Sequence, residues 1–258
     1  MSASISIVML AGEGDSTNII YNALSKDFRI AKVVLEDPVP RAQFLRRRVK
    51  RLGLRVVAGQ VLFQGAVVPL LRRSSRERVL QIRSSQGLDD TAIPTRDILR
   101  VSSANAQETI GALRELRPSI VIVNGTRILS KSVLQSVPAR FVNTHAGITP
   151  LYRGVHGGYW ALANRDRAAC GVTVHLVDEG IDTGSILGQA IIRPTERDNF
   201  VTYPYLQVAA ALPLLIASVR ALSEGTVLPL SPPRGASRLW THPTIGQYVW
   251  HRVLNRVL

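Results

Sequence analysis

Short apolar runs, each closed by a polar or glycine-bearing turn, recur along most of the chain. Residues 5–11 read as a strand that runs into Gly12-Glu13-Gly14-Asp15-Ser16, and a helix follows over 17–24 with Asp15 or Ser16 as its cap. Residues 29–35 alternate toward a second strand that stops at Asp37-Pro38. Residues 40–52 read as a basic helix. The segment 53–92 mixes apolar and basic residues with only a weak helical period. A short strand at 98–101, a helix over 105–116 and a fully apolar strand at 119–123 follow, and a helix over 131–136 precedes the apolar run at 140–142. Beyond that, 159–164 reads as a helix, 171–177 as an alternating strand and 185–192 as its neighbour. So short a connection between the last two forces them antiparallel. A long helix over 199–223, with Asp198 as cap and Pro204 and Pro213 as kinks, leads into a Pro-rich, aromatic tail. Alternating strands and helices predict an α/β protein whose mostly parallel sheet is covered on both faces. Ligands in such sheets bind beyond the carboxyl ends of the strands.

Two such ends carry polar side chains: Asn124-Gly125, and Asn143-Thr144-His145. Residues two apart on a strand share a face, so Asn143 and His145 can enter one pocket. Asp182 lies in the glycine-flanked loop Val177-Asp178-Glu179-Gly180-Ile181-Asp182-Thr183-Gly184, which can fold back onto the histidine. An amide donor, an imidazole and a carboxylate together suit acyl transfer without a covalent enzyme intermediate.

Other chemistries find less support. Gly12-Glu13-Gly14 follows a first strand, but the third glycine of a dinucleotide fingerprint is replaced by Thr17. What remains is a looser reading, in which backbone amides near Gly12 and Gly14 hold a phosphate or carboxylate at a helix start. Cys170 is the only cysteine, which rules out an internal disulfide and a Cys-rich zinc site. No histidine pair has zinc-like spacing, so no metal is expected. No serine sits in a G-x-S-x-G elbow, which disfavours a Ser-His-Asp hydrolase. The net charge of +14 is concentrated: residues 41–100 hold 14 Arg or Lys against 4 Asp or Glu. Such a field favours anionic partners, while a solvated helix face explains it equally well. The first apolar run is too short for a secretory signal, and no run reaches a membrane span without interruption. A cytoplasmic protein without membrane contact is expected.

Taken together, Asn143-Thr144-His145, Pro150-Leu151-Tyr152-Arg153-Gly154 and the stretch from Gly171-Val172-Thr173-Val174-His175 through Asp182-Thr183-Gly184 resemble the formyltransferase catalytic family. This family includes methionyl-tRNA, glycinamide ribonucleotide and sugar N-formyltransferases. The resemblance is specific from about residue 118 to 192, and Ala146 stands where the family usually has proline. It implies a Rossmann-like three-layer fold, with a catalytic domain over 1–225, an insertion-like basic segment over 41–95 and a tail over 226–258. It implies 10-formyltetrahydrofolate as formyl donor, with catalysis by Asn143, His145 and Asp182. Arg127, Ile128 and Leu129 resemble the loop that embraces the pterin, joined by Val177, Asp178 and Gly180. Arg153, Gly154 and His156, with Gly12 and Gly14, are the expected acceptor contacts. The expected acceptor is a primary amine on a small anionic molecule, of the amino-sugar nucleotide type. Formyltetrahydrofolate hydrolysis, a methionyl-tRNA acceptor and a non-enzymatic nucleic-acid binder are the alternatives. The tail is short for the extra barrel that methionyl-tRNA enzymes carry.

Overall fold

The first strand, β1 (Ile7–Gly12), is buried from Ile7 to Ala11 and lies between β2 (Ile30–Glu36) and β4 (Ile120–Asn124), parallel to both. This computed structural model describes residues 5–255 and 257. β3 (Ile98–Val101) continues the sheet beside β2, and β5 (Arg140–His145) continues it beside β4, again in parallel. β7 (Gly171–Leu176) then pairs antiparallel with β5, and β8 (Ile186–Ile191) antiparallel with β7, as the short connection requires. The order is β3-β2-β1-β4-β5-β7-β8. Direction of growth reverses between β1 and β4, and the carboxyl ends of these two strands are where sheets of this kind bind ligands.

Side chains leave each strand alternately to the two faces, which gives the central strands two apolar sides to cover. Ile7 and Met9 pack with Ile19, Ile20 and Leu24 of α1 (Asp15–Leu24), and with Val208, Leu215 and Val219 of α9 (Tyr203–Glu224). Val8 and Leu10 face the other way, onto Ile110 and Leu113 of α6 (Gln107–Leu116) and Val133 of α7 (Lys131–Leu134). Three layers result, as anticipated. Asp198 does not cap α9; Thr202 holds that position, and Pro204 enters the first turn, where its missing N–H costs nothing. Asp198 instead takes a bidentate ion pair from Arg78, at 2.8 and 2.9 Å.

Between β2 and β3 the chain is helical as far as Ser85, in α2 (Arg41–Leu52), α3 (Leu54–Leu62), α4 (Val68–Ser74) and α5 (Arg76–Ser85), and irregular over 86–94. A single π turn, Phe63–Val67, joins α3 to α4, so 54–74 is one unbroken rod. That rod and α9 are both long and apolar enough to cross a membrane, which corrects the expectation that no segment is. α9 packs its apolar side on the sheet; the outer side of 54–74 is largely exposed. The tail also carries elements that its composition hid. β9 (Arg238–Trp240) pairs in parallel with β6 (Tyr152–Gly154). α10 (Ile245–Leu254) opens on a capping box, in which Thr244 and Gln247 exchange side-chain-to-backbone bonds of 3.2 and 2.9 Å.

Candidate active site

β5 ends among buried polar groups. Asn143 is half-buried, and His145, on the same face of the strand, is 5 % exposed. Asp182 reaches back from its loop: Oδ2 lies 3.3 Å from His145 Nδ1 and accepts the Gly154 N–H at 2.8 Å. The loop needs a left-handed residue to make this return, and Asp182 itself takes φ 52°, a conformation that aspartate tolerates better than most residues. A second imidazole completes the cluster. His175 pairs with Asn143 across the β5–β7 ladder, and its Nε2 lies 3.2 Å from Asn143 Nδ2 and 3.6 Å from Asp182 Oδ1. Its Nδ1–H donates to the Leu176 carbonyl. A proton on Nε2 is donated to the carboxylate; without it, the same nitrogen accepts from the Asn143 amide.

Burial lowers the His145 pKa, and the neighbouring Asp182 charge only partly opposes it, so the ring is neutral near pH 7. Burial pushes the Asp182 carboxyl upward, but the His175 contact, the adjacent His145 imidazole and the Gly154 N–H outweigh it. Its net shift is downward. Asp182 is therefore an ionised carboxylate set between two imidazoles. His145 Nε2 lies 2.7 Å from the Tyr152 carbonyl and Nδ1 3.3 Å from the Asp182 carboxylate, so the one N–H of the neutral ring faces an acceptor on either nitrogen and is not free. The free donor is on Asn143, whose second amide N–H has no acceptor among the described residues.

The loop after His145 is fixed without a proline at Ala146. Gly158 N–H donates to the Ala146 carbonyl, Thr173 Oγ1 donates to that of Gly147, and Thr149 N–H returns to Thr173. Gly147 lets it turn there, since a Cβ at that position would lie 2.8 Å from His145 Nε2.

The outer residues divide by what holds them. Arg127 donates to Glu36, to the Ser102 carbonyl and to the Asp37 carbonyl, so its guanidinium ties the carboxyl ends of β2 and β3 to the segment after β4. Leu129 is buried in the core, whereas Ile128 is exposed in the segment after β4. Val177 is half-buried. Asp178 turns its loop by accepting from Gly180 N–H and Thr183 Oγ1. Gly12 abuts the Gly125 carbonyl, where a Cβ would come within 2.5 Å. Gly14 is the N-cap of α1. Arg153 donates to the Ile181 carbonyl, but its buried Nε has no partner among the described residues. Gly154 serves Asp182 directly. His156 is turned into the tail, with Nε2 3.0 Å from His242 Nδ1 and its ring against Phe200. The register that sets His175 opposite Asn143 is what reveals its place.

A formyl transferase family model matches residues 59–204, more than half of the chain. The chain belongs to the formyl transferase family. Asn143, His145, His175 and Asp182 all lie within the matched stretch. Among the family's curated members, methionyl-tRNA formyltransferase of Anaeromyxobacter sp. (strain K) is 34 % identical over 120 residues, 46 % of this chain and 38 % of that protein. The enzyme of the same name from Anaeromyxobacter dehalogenans (strain 2CP-C) is 32 % identical over 149 residues, 57 % and 47 % of the two chains. The chain thus spans less than half the length of these curated relatives. Among solved structures, a sugar N-formyltransferase from Shewanella sp FDAARGOS_354 superimposes with TM-score 0.56 at 14 % identity, covering 91 % of this chain and 76 % of that one. Glycinamide ribonucleotide transformylase 1 from Symbiobacterium toebii gives 0.57 at 20 %, covering 87 % and 90 %. At such identities these two establish a shared formyl transferase fold.

Proposed function

We propose that this protein moves a formyl group from 10-formyltetrahydrofolate to a primary amine on a small anionic acceptor, of the amino-sugar nucleotide type. The observation that carries the reading is the ionised Asp182 held between His145 and His175, with Asn143 beside them. In the reaction the amine nitrogen bonds to the formyl carbon, the bond from that carbon to the folate nitrogen breaks, and the amine's surplus proton passes to the leaving nitrogen. Negative charge grows on the formyl oxygen meanwhile. The spare Asn143 N–H is a preorganised donor for that oxygen, and groups of this kind contribute roughly 3 kcal/mol each. The Asp182–His145–His175 set carries the proton. A carboxylate flanked by two imidazoles accepts and returns it without lasting charge separation. The exposed Ile128 offers an apolar contact for the pterin in the segment after β4. The Arg153 Nε, unpartnered among the described residues, supports an anionic acceptor, because a buried guanidinium N–H without a partner is costly.

A panel of amines incubated with the formyl donor, read by mass gain of one formyl group, tests the proposal. His145→Ala and Asp182→Ala are expected to fold, bind folate analogues and transfer nothing. Wild-type turnover in either removes that residue from the scheme. Folate release that proceeds at full rate without any amine would convert the assignment to hydrolysis.

A further inference from the structure

The rod over 54–74 presents an unusual outer surface. A helix on a water-facing surface ordinarily turns charged or polar residues outward. Here the outward positions include Val56, Val61, Leu62, Ala66, Pro69 and Leu70, and no charged residue occurs from Val56 to Leu71. Leu62 is 57 % and Leu70 69 % exposed. The inner side is fully committed to the body of the protein. Gln60 Nε2 donates to the His242 carbonyl at 2.6 Å, and the Phe63 ring sits 4.9 Å from those of both Phe200 and Tyr248. The rod is therefore pinned lengthwise and lies on the protein rather than projecting from it.

α10 packs beside the rod. Gly59 lies against Thr244, where α10 begins, and a Cβ there would come within 3.0 Å of the threonine. From α10, Val249, Trp250, Val253 and Leu254 stand exposed and line a shallow apolar groove. α2, which buries none of its residues, adds Phe44 and Leu45 beside its arginines. Exposed apolar surface on three helices in contact through α3 marks a contact with a partner or a membrane.

Charge decides which. Residues 41–76 contain 10 Arg or Lys and no Asp or Glu, and residues 225–258 contain 4 Arg and again no acid. A second copy of this chain would bring this all-cationic rim against itself, since a two-fold contact matches a patch with the same patch. An RNA would use the arginines and leave the apolar centre uncovered. An anionic bilayer uses both: headgroup phosphates meet the rim, and the apolar side chains enter the acyl boundary. Trp250 has the amphipathic ring that favours that boundary. The geometry points to a membrane-docking surface, formed by the 54–74 rod, α10 and the basic rim of α2, that seats the protein on anionic lipid.

Vesicle co-sedimentation tests this without reference to formyl transfer. Phosphatidylcholine vesicles containing phosphatidylglycerol are expected to pull down the protein at low salt. Pure phosphatidylcholine is expected to bind it poorly, and high salt to release it from both. Arg46→Gln is expected to weaken binding about fivefold, the effect of one charge near the surface. Leu62→Glu with Leu70→Glu is expected to abolish it while circular dichroism stays unchanged. Should that variant unfold, depth-resolved quenching of Trp250 in the wild-type protein, by lipids brominated along their chains, supplies the same answer. A protein that stays in the supernatant with anionic vesicles at low salt overturns the inference. So does undiminished binding by the folded double variant, or absence of Trp250 quenching. A concentration-dependent dimer that the same substitutions dissolve, without vesicle binding, overturns it in favour of self-association.

Discussion

A methyl group at Gly147 measures how tightly the cluster is held. It would press hardest on the Tyr152 carbonyl, the acceptor facing His145 Nε2, then on His145 Nε2 itself at 2.8 Å and on Gly157 Cα at 3.1 Å, and backbone atoms yield little. Gly147→Ala is expected to cost about 1–3 kcal/mol of stability by overpacking. Turnover is expected to fall about a hundredfold, since a displacement near 1 Å is enough for that. Urea denaturation and steady-state rates check the two separately, and an unaltered rate would show that the ring position is not critical. His175 acts through Asp182. Removing it in His175→Ala takes away a contact that lowers the carboxyl pKa, so that pKa rises toward the ordinary range. The acid limb of the kcat/KM profile is expected to move to higher pH; a pure loss of rate with the limb unmoved would reduce His175 to packing. The two histidines differed in legibility for a physical reason. His145 ends an apolar run, where a polar side chain has no packing role. His175 sits inside an alternating strand, where any residue looks like part of a face until pairing sets it opposite Asn143.

Among the elements, the strands and helices of the sheet were readable because each has one environment per face. The rod over 54–74 was not, because apolar residues on its inner and outer sides cancel the period from which a helix is recognised. Its anchor is Phe63, fully buried in the π turn between Phe200 and Tyr248. Phe63→Ala is expected to cost about 3–5 kcal/mol, the usual range for emptying an aromatic site in a core. Urea unfolding followed by circular dichroism measures it. A loss under 1 kcal/mol would mean that the rod is held elsewhere. β6 and β9 were hidden for another reason. Three-residue strands carry no alternation, and their partners are more than 80 positions apart. Their pairing nevertheless matters to the site. It leaves Gly154, at φ 95°, with its N–H on Asp182 and no room for a side chain against Trp240. The tail is thus one hydrogen bond from the carboxylate.

Across the whole molecule the tail is joined to the core through His156 and His242, and this junction titrates. Burial, with a smaller contribution from its partner, drives the His156 pKa down from 6.5 to about 3; burial, helped by the Arg48 charge, drives that of His242 to about 4. Both rings are therefore neutral in the folded state while the unfolded chain takes up protons below 6.5. Their contribution is complete above that value and is lost as the pH falls toward 3–4, because the unfolded state then binds the protons that the folded state refuses. Each histidine contributes about 1.4 kcal/mol per pH unit within that window. At pH 5 the pair together amounts to about 4 kcal/mol, enough to lower Tm by roughly 10 °C in a domain of this size. The Arg78–Asp198 pair acts in a lower window. Burial opposes ionisation of Asp198, but the Arg78 bond and the Thr195 donors hold its pKa below the ordinary value, so its contribution fades only under more acid conditions. Thermal melts between pH 7.5 and 4.5 are expected to show a steep loss below 6.5 in the wild-type protein. His156→Asn with His242→Gln is expected to flatten that slope, even though it lowers Tm at neutral pH. Asparagine suits the left-handed backbone at 156, where φ is 58°, so the loss of titration is separated from backbone strain. Equal slopes in the two proteins would assign the acid sensitivity to other groups, with the buried His145 the first to examine, because its pKa is lowered in the same direction.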